Sequence, residues 1–307
     1  MSTVEGLAGY LEEVEERLAG VVEAHPGTVA AVGSDALAAG GKRMRPALTF
    51  LSSRPGSTPP VTEGTAIELV HMASLVHDDI VDEARLRRGR AAAWTAHGPF
   101  AAKATGDHLF ARAFVTLAAT GSVEPVAALA EASLALARGE ALQRLQRRDP
   151  ETSIEAYVER CALKTGSLFA AACVLGGGSA EFGRLLGIAF QIVDDVLDLT
   201  ASENVLGKPV ASDLREGKVT MAVIHALQRC TPAEQRVIET VVQDRVFGSD
   251  THAQVLAILN RHSSLEAAYE KAMQYADLAR NAICSFPDTE IKRALLWAPE
   301  FVVAREK

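Results

Sequence analysis

Two acidic motifs of one form, Asp78-Asp79-Ile80-Val81-Asp82 and Asp194-Asp195-Val196-Leu197-Asp198, interrupt helical patterns that are otherwise apolar. No other feature of the chain constrains its fold as much. At about 100° per residue, His71, Ser74, Asp78 and Asp82 fall near one line along a helix, with Asp79 beside it. Ile80 and Val81 alternate with the acids and draw part of the acidic face inward, where unpaired negative charge is strongly disfavoured. The second copy is more apolar still. Leu185, Leu186, Ile188, Ile192, Val193, Val196, Leu197 and Leu199 leave its helix almost no wet side. One such motif alone reads as a solvated helix end; its repetition points to a shared internal site that needs cations for compensation.

The composition suits helices. Of 307 residues 48% are hydrophobic but only 5% aromatic, which favours helix packing over a sheet core. With no internal linker visible, the expected fold is all-α, a single domain over residues 1–307. A net charge of −8 argues against nucleic-acid binding, because phosphate neutralisation over a surface needs a basic field. Cys161, Cys173, Cys230 and Cys284 show no paired spacing and read as reduced packing residues. The N-terminal stretch is acidic and amphipathic rather than signal-like, and nothing approaches the ~20 apolar residues that span a bilayer. These readings together predict a soluble cytoplasmic protein with no membrane span.

Cations recur where the chain breaks. Gly40-Gly41 precede Lys42, Arg43 and Arg45 at a helix whose first turn accepts Pro46. This is either a solvated basic turn or a diphosphate anchor built from backbone N–H groups and guanidinium forks. The central helix is expected from about Thr62 to Arg85, stopping near Gly89, so that Arg87 and Arg88 sit at its C-terminal end, either complementing the helix dipole or gripping phosphate. Helices are predicted from Gly98 to Thr120 and from Val123 to Arg148, the second carrying Glu140 and Gln143, either a surface pair or part of a site. A helix over about Ser153–Leu175 holds Lys164 and Thr165 before Gly166, which implies close packing or a bend. A loop over 207–218 presents Lys208, Asp213 and Lys218, and three or four amphipathic helices complete the chain.

Magnesium prefers oxygen ligands and is held by one or two carboxylates per ion together with water and substrate phosphate. Two facing acidic helices ringed by Lys42, Arg45, Arg88, Lys164, Lys208 and Lys218 therefore predict a magnesium and diphosphate clamp at the mouth of an apolar helical cavity. Scarce histidine and the absence of cysteine from the motifs speak against zinc or a redox metal.

The segments GGKRMRP, HDDIVDEARLRRG, GEALQ, KTGSLF, FQIVDDVLD and GKPVASDLREGKVT, in that order, resemble the all-trans isoprenyl (polyprenyl) diphosphate synthases over nearly the whole chain. The resemblance implies a homodimer of antiparallel-helix bundles around a deep central cavity, the isoprenoid synthase type I fold. It implies a head-to-tail (1′-4) condensation of isopentenyl diphosphate with the cation formed from an allylic diphosphate primer, assisted by up to three Mg2+ ions per site. Asp78, Asp82 and Asp194 would touch the metal most directly, with Asp79, Asp195 and Asp198 positioning ions and waters. Arg87, Lys164, Lys208 and Lys218 would hold the allylic diphosphate, and Lys42, Arg43, Arg45, His71 and Arg88 the isopentenyl diphosphate. Thr165 and Gln191 would set oxygen dipoles near the allylic cation. The sequence departs from the family pattern at Ala211, where glycine is usual, and in lacking the Pro-Thr that often follows the arginines.

Product length should follow the residues one turn and more behind Asp78. Ser74 and Ala73 are small and Val70 lies a further turn back, so no aromatic barrier arises for about 10 Å along this face, although Phe110 and Phe114 on the next helix could form a floor. A medium- or long-chain polyprenyl product is expected. A geranylgeranyl (C20) synthase is the alternative, ahead of a class I terpene cyclase or a non-catalytic partner subunit.

Overall fold

The computed structural model describes residues 4–200, 211–244 and 248–304. Its elements are almost entirely helical. Helices α1 (Leu7–Glu23), α2 (Thr28–Ala38), α3 (Met44–Leu51) and α4 (Val61–Val81) come first, then a two-residue hairpin of β1 (Leu86–Arg87) and β2 (Arg90–Ala91). Next are α5 (Ala93–His97), α6 (Pro99–Ala118), α7 (Val123–Gln146), α8 (Ile154–Cys161), a π turn at Ala162–Gly166, α9 (Ser167–Gly176) and α10 (Ala180–Thr200). The C-terminal part comprises α11 (Ser212–Arg215), α12 (Met221–Leu227), α13 (Pro232–Asp244), α14 (Ser249–Arg261), α15 (Ser264–Ala282) and α16 (Glu290–Val303).

Helix α10 is the central member, and its sequence explains why. Leu185, Leu186 and Ala189 enter a hydrophobic cluster built with α1, α3, α4, α6, α7, α9 and α16. Ile188, Ile192, Val193 and Val196, on another side, enter a second cluster with α8 and α12 to α15. A helix apolar nearly all round is buried on most sides, as the sequence pattern requires. Its glycines allow close approach: a Cβ at Gly187 would lie 2.6 Å from the Gly166 Cα, and one at Gly183 2.4 Å from the Phe169 carbonyl oxygen.

Three local differences from the sequence expectation matter for the site. The central helix ends at Val81 rather than near Arg85, with Asp82 as its C-terminal cap. The chain then turns back through Arg88 and Gly89, at φ 52° and 77°, the left-handed geometry that closes a two-residue hairpin. Arg87 and Arg88 therefore lie in a hairpin, not at a helix end. The predicted helix over Ser153–Leu175 is interrupted by the π turn, the bend foreshadowed by Gly166; such bulges widen a helix locally and often mark functional positions. Among the described residues five helical segments rather than three or four follow residue 218, because Ser263 at φ 48° breaks α14 from α15 and Pro232 begins a separate helix.

The departure at Ala211 also has a structural consequence. This residue sits at φ 55° and ψ 39°, fully buried, with its N–H donated to the Asp198 carbonyl at 2.8 Å. A left-handed conformation costs an L-residue roughly 1–2 kcal/mol, partly offset by the smaller chain entropy of alanine in the unfolded state. Ala211→Gly should accordingly raise stability by about 0.5–1 kcal/mol, a rise of about 1–2 °C in thermal unfolding; an unchanged or lower Tm would show that the strain is relieved elsewhere.

Candidate active site

A cavity of about 1220 Å³ opens between α4, α7, the π turn, α10, the hairpin and the segment around α11. His71, Ser74, Asp78 and Asp82 all line it, as their common line on α4 demands. Asp194 and Asp195 line it from α10, and Asp213 and Glu216 from the α11 segment. The two acidic motifs thus share one hollow. Asp79 and Asp198 do not line it.

Two lysines stand among the carboxylates. Lys164 Nζ lies 3.4 Å from Asp78 and also pairs with Glu140. Lys218 Nζ lies 3.3 Å from Asp82, 3.2 Å from Asp213 and 2.6 Å from Glu216, joining positions 136 residues apart. Burial works against both ammonium charges, but Asp78 and Glu140 raise the pKa of Lys164, and Asp213, Asp82 and Glu216 hold Lys218 well above the ordinary lysine range. The same crowding acts on the acids. Burial, with the Glu140 and Asp82 charges, pushes Asp78 up. Lys164 reaches this place because α7 passes very close: a Cβ at Gly139 would be 2.5 Å from the Lys164 backbone nitrogen.

The outer members of each motif are tied into the scaffold. Asp79 is 3% exposed and accepts from Arg87 Nε at 3.0 Å and from a second nitrogen of the same fork. Asp198 is 1% exposed; it accepts from Ser212 Oγ at 2.7 Å and from the Asp213 backbone N–H at 2.9 Å, fixing the start of α11. Asp195 accepts from Tyr157 at 2.7 Å and from Gln191 at 2.7 Å, and Gln191 in turn accepts from Thr165 at 2.6 Å. Burial, then the nearby Asp213 charge, pushes Asp195 up to about 7.

A basic wall faces the acids. Lys42, Arg43, Arg45, His71, Arg87 and Arg88 line the same cavity. Arg45 stacks over the Phe169 ring at 4.9 Å, and its Nε is buried without a protein partner, leaving donor capacity for a ligand. Burial, with the Arg88 charge, lowers the Arg45 pKa to about 10. Burial first, and then Arg45 and Arg88, hold His71 well below the usual histidine range, so its imidazole is neutral near pH 7. Arg88 packs against Gly41, where a Cβ would meet its guanidinium at 2.9 Å; the glycine pair makes room for this arginine. Arg43 is differently placed. It is 8% exposed and its fork is spent on Glu15 and on Glu68, the latter at 2.9 Å. Lys208 lies outside the described residues.

Of the expected chain-length residues, Ser74 lines the cavity with Leu75, whereas Ala73 and Val70 are packed in the main hydrophobic cluster. Phe110 and Phe114 do not line the cavity; their rings meet at a tilt with centroids 5.3 Å apart, and the phenylalanines that line it are Phe169 and Phe190. Periodicity along α4 identified the correct line but not how far the cavity follows it. Sequence reasoning also missed Glu216 and Tyr157. Glu216 could have been suspected from its place in the loop that presents Asp213 and Lys218, but no spacing marks Tyr157.

The donor set fits a hard cation. Carboxylates of Asp78, Asp82 and Asp194 line a cavity rimmed by arginine and lysine, and among the described residues no three His, Cys or acidic side chains are grouped so as to hold a metal ion by themselves. Magnesium suits this arrangement, because it takes few carboxylates and completes its shell with water and substrate phosphate.

A helical bundle with acids from two buried helices and cations around one cavity defines a class, the transferases of the isoprenoid synthase type. The chain belongs to the polyprenyl synthetase family, which it matches over residues 27–259. It is 40% identical to an octaprenyl diphosphate synthase of Haemophilus influenzae over 84% of this chain and 82% of that protein. A decaprenyl diphosphate synthase of Rhodobacter capsulatus superposes with a TM-score of 0.91 at 33% identity, covering 99% and 98% of the two chains. A polyprenyl synthase of Caulobacter crescentus, solved with calcium and isoprenyl diphosphate, gives 0.90 at 33% identity over 98% and 94%. Among the described residues no helix is long and apolar enough to cross a membrane.

The unequal partners of Arg43 generate a prediction. Glu68 is 3% exposed at its side chain and Glu15 42%. Removing a buried ion-pair partner costs about 3 kcal/mol, while an exposed one contributes under about 1 kcal/mol. Glu68→Leu should therefore destabilise the fold about 3 kcal/mol in urea unfolding and Glu15→Leu under about 1 kcal/mol. Equal effects would contradict this description of the pair.

Proposed function

We propose that the protein is an all-trans polyprenyl diphosphate synthase that adds isopentenyl diphosphate head-to-tail to an allylic diphosphate, giving a medium- or long-chain product. The observation that carries this reading is the single cavity shared by Asp78, Asp82 and Asp194 and the arginine wall opposite. Bound magnesium would neutralise the diphosphate and assist its departure, held by Asp78, Asp82 and Asp194. Lys164 and Lys218, already seated between carboxylates, would add donors to the leaving diphosphate, and Arg87, fixed by Asp79, would point its remaining N–H groups the same way. Lys208 completes this set in our reading. Arg45, Arg88, Lys42 and the neutral His71 would hold isopentenyl diphosphate, with Arg43 acting through the rigid turn it anchors. Thr165 and Gln191 would face the allylic cation with oxygen dipoles.

The lack of an aromatic residue at Ser74 supports a long product, as do relatives named for octaprenyl and decaprenyl diphosphates. We read the whole chain as one domain, since α10 belongs to both hydrophobic clusters. We assign it to the cytoplasm, where thiols such as Cys161 and Cys173 stay reduced. A homodimer is part of the same reading. Helices α6 and α7 expose Phe100 (84%), Val123 (74%), Leu134 (64%) and Leu145 (79%), large apolar side chains that a second subunit would cover.

Incubating the protein with isopentenyl diphosphate and allylic primers, with magnesium or a chelator, and sizing products by mass spectrometry tests the activity. Asp78→Ala and Asp194→Ala should each lower turnover by about a thousandfold or more with helical circular dichroism intact, and Ser74→Phe should shorten the product while turnover persists. Retained activity in either aspartate variant, or an unchanged product from Ser74→Phe, counts against the corresponding assignment. For assembly, Leu134→Asp with Leu145→Asp should convert a dimer to a monomer in light scattering; a wild-type monomer would refute the dimer.

A further inference from the structure

Tyr157 is fully buried on α8 and does not line the cavity, yet it begins a hydrogen-bond chain that ends there. Its hydroxyl donates to one oxygen of Asp195 and Gln191 Nε2 donates to the other, both at 2.7 Å. Thr165 Oγ1 then donates to Gln191 Oε1 at 2.6 Å. Arg160 holds the phenol in place: it stacks on the Tyr157 ring at 5.0 Å and is itself fixed by Gln146 at 2.8 Å and the Val219 carbonyl at 3.0 Å.

The direction of this chain is decided at its buried end. Both oxygens of Asp195 accept, one from Tyr157 and one from Gln191, so the amide of Gln191 turns its NH2 toward Asp195 and its oxygen toward Thr165. Thr165 has one proton and spends it on that oxygen. What remains at the cavity wall, where Thr165 is 6% exposed, is the lone-pair side of its hydroxyl. With the amide reversed, Thr165 would accept from Gln191 and aim its proton into the cavity, opposite in sign to what a cation needs.

We infer that Tyr157 and Asp195 are positioning residues that fix the polarity of the Gln191–Thr165 pair, so that the cavity wall presents oxygen lone pairs to the developing allylic cation. The inference rests on the prenyl-transfer reading above and assigns the two oxygens of Asp195 to this chain.

The test compares two ligands that differ in charge alone: an analogue of the allylic diphosphate with an ammonium nitrogen in place of the cationic carbon, and its neutral carbon isostere. Their dissociation constants are measured by calorimetry with magnesium for wild type, Asp195→Asn, Thr165→Val and the double variant. Asp195→Asn should reduce the preference for the cationic analogue about tenfold in the wild-type background and less than about twofold in the Thr165→Val background. Tyr157→Phe, which changes no charge, should give a smaller loss of preference that also vanishes with Thr165→Val, with affinity for the neutral isostere unchanged. Equal losses in both backgrounds would mean that Asp195 acts by its charge through space and would overturn the inference, as would a wild type with no preference for the cation. A wild type that binds neither analogue would overturn the prenyl-transfer reading itself.

Discussion

Lys218 and the three carboxylates around it, Asp82, Asp213 and Glu216, balance a charge problem on which the rest of the site depends. Acidic groups brought into one partly enclosed hollow from α4 and from the α11 segment repel one another and lose hydration. The ammonium group between them offsets part of both costs and at the same time ties the C-terminal end of α4 to a segment 136 residues away. Lys164 repeats the device one turn earlier, between Asp78 and Glu140. The protein thus holds its acids together with cations of its own.

Around this core the scaffold assigns different tasks to identical residues. Each motif contains three aspartates in different surroundings: Asp78 and Asp82 line the cavity beside Lys164 and Lys218, and Asp194 lines it from α10. Asp79 fixes Arg87, Asp198 fixes the start of α11, and Asp195 anchors the chain through Gln191 to Thr165. A carboxylate in a buried helix can organise a cation, a backbone turn or a neutral amide, and which it does follows from its angle around the helix axis. The hairpin at Leu86–Ala91 separates Arg87 from Arg88 in the same way, directing the first to Asp79 and the second to the turn at Gly41.

Much of this was legible in the sequence because it rests on helical periodicity. The line of His71, Ser74, Asp78 and Asp82 followed from 3.6 residues per turn, the burial of α10 followed from its apolar circumference, and Gly166 marked a bend that became a π turn. What periodicity cannot supply is the far side of each contact. Nothing local shows that Arg43 faces Glu68 rather than a ligand, that Tyr157 reaches Asp195, or that Ala73 and Val70 pack inward while Ser74 faces the cavity. The hairpin was missed because its turn, Arg88-Gly89, has only one of its two positive-φ positions filled by glycine.

The central claim is that Asp78 and Asp194 serve one site at which metal and diphosphate bind together, and the coupling between those two ligands tests it most directly. Manganese, a spectroscopic stand-in for magnesium, can be titrated into wild type, Asp78→Ala and Asp194→Ala by electron paramagnetic resonance, with and without inorganic diphosphate. A shared site predicts that diphosphate tightens manganese binding in wild type and that either substitution abolishes the tightening, because linkage between two ligands requires the groups that bridge them. Full coupling retained in both variants would contradict the account.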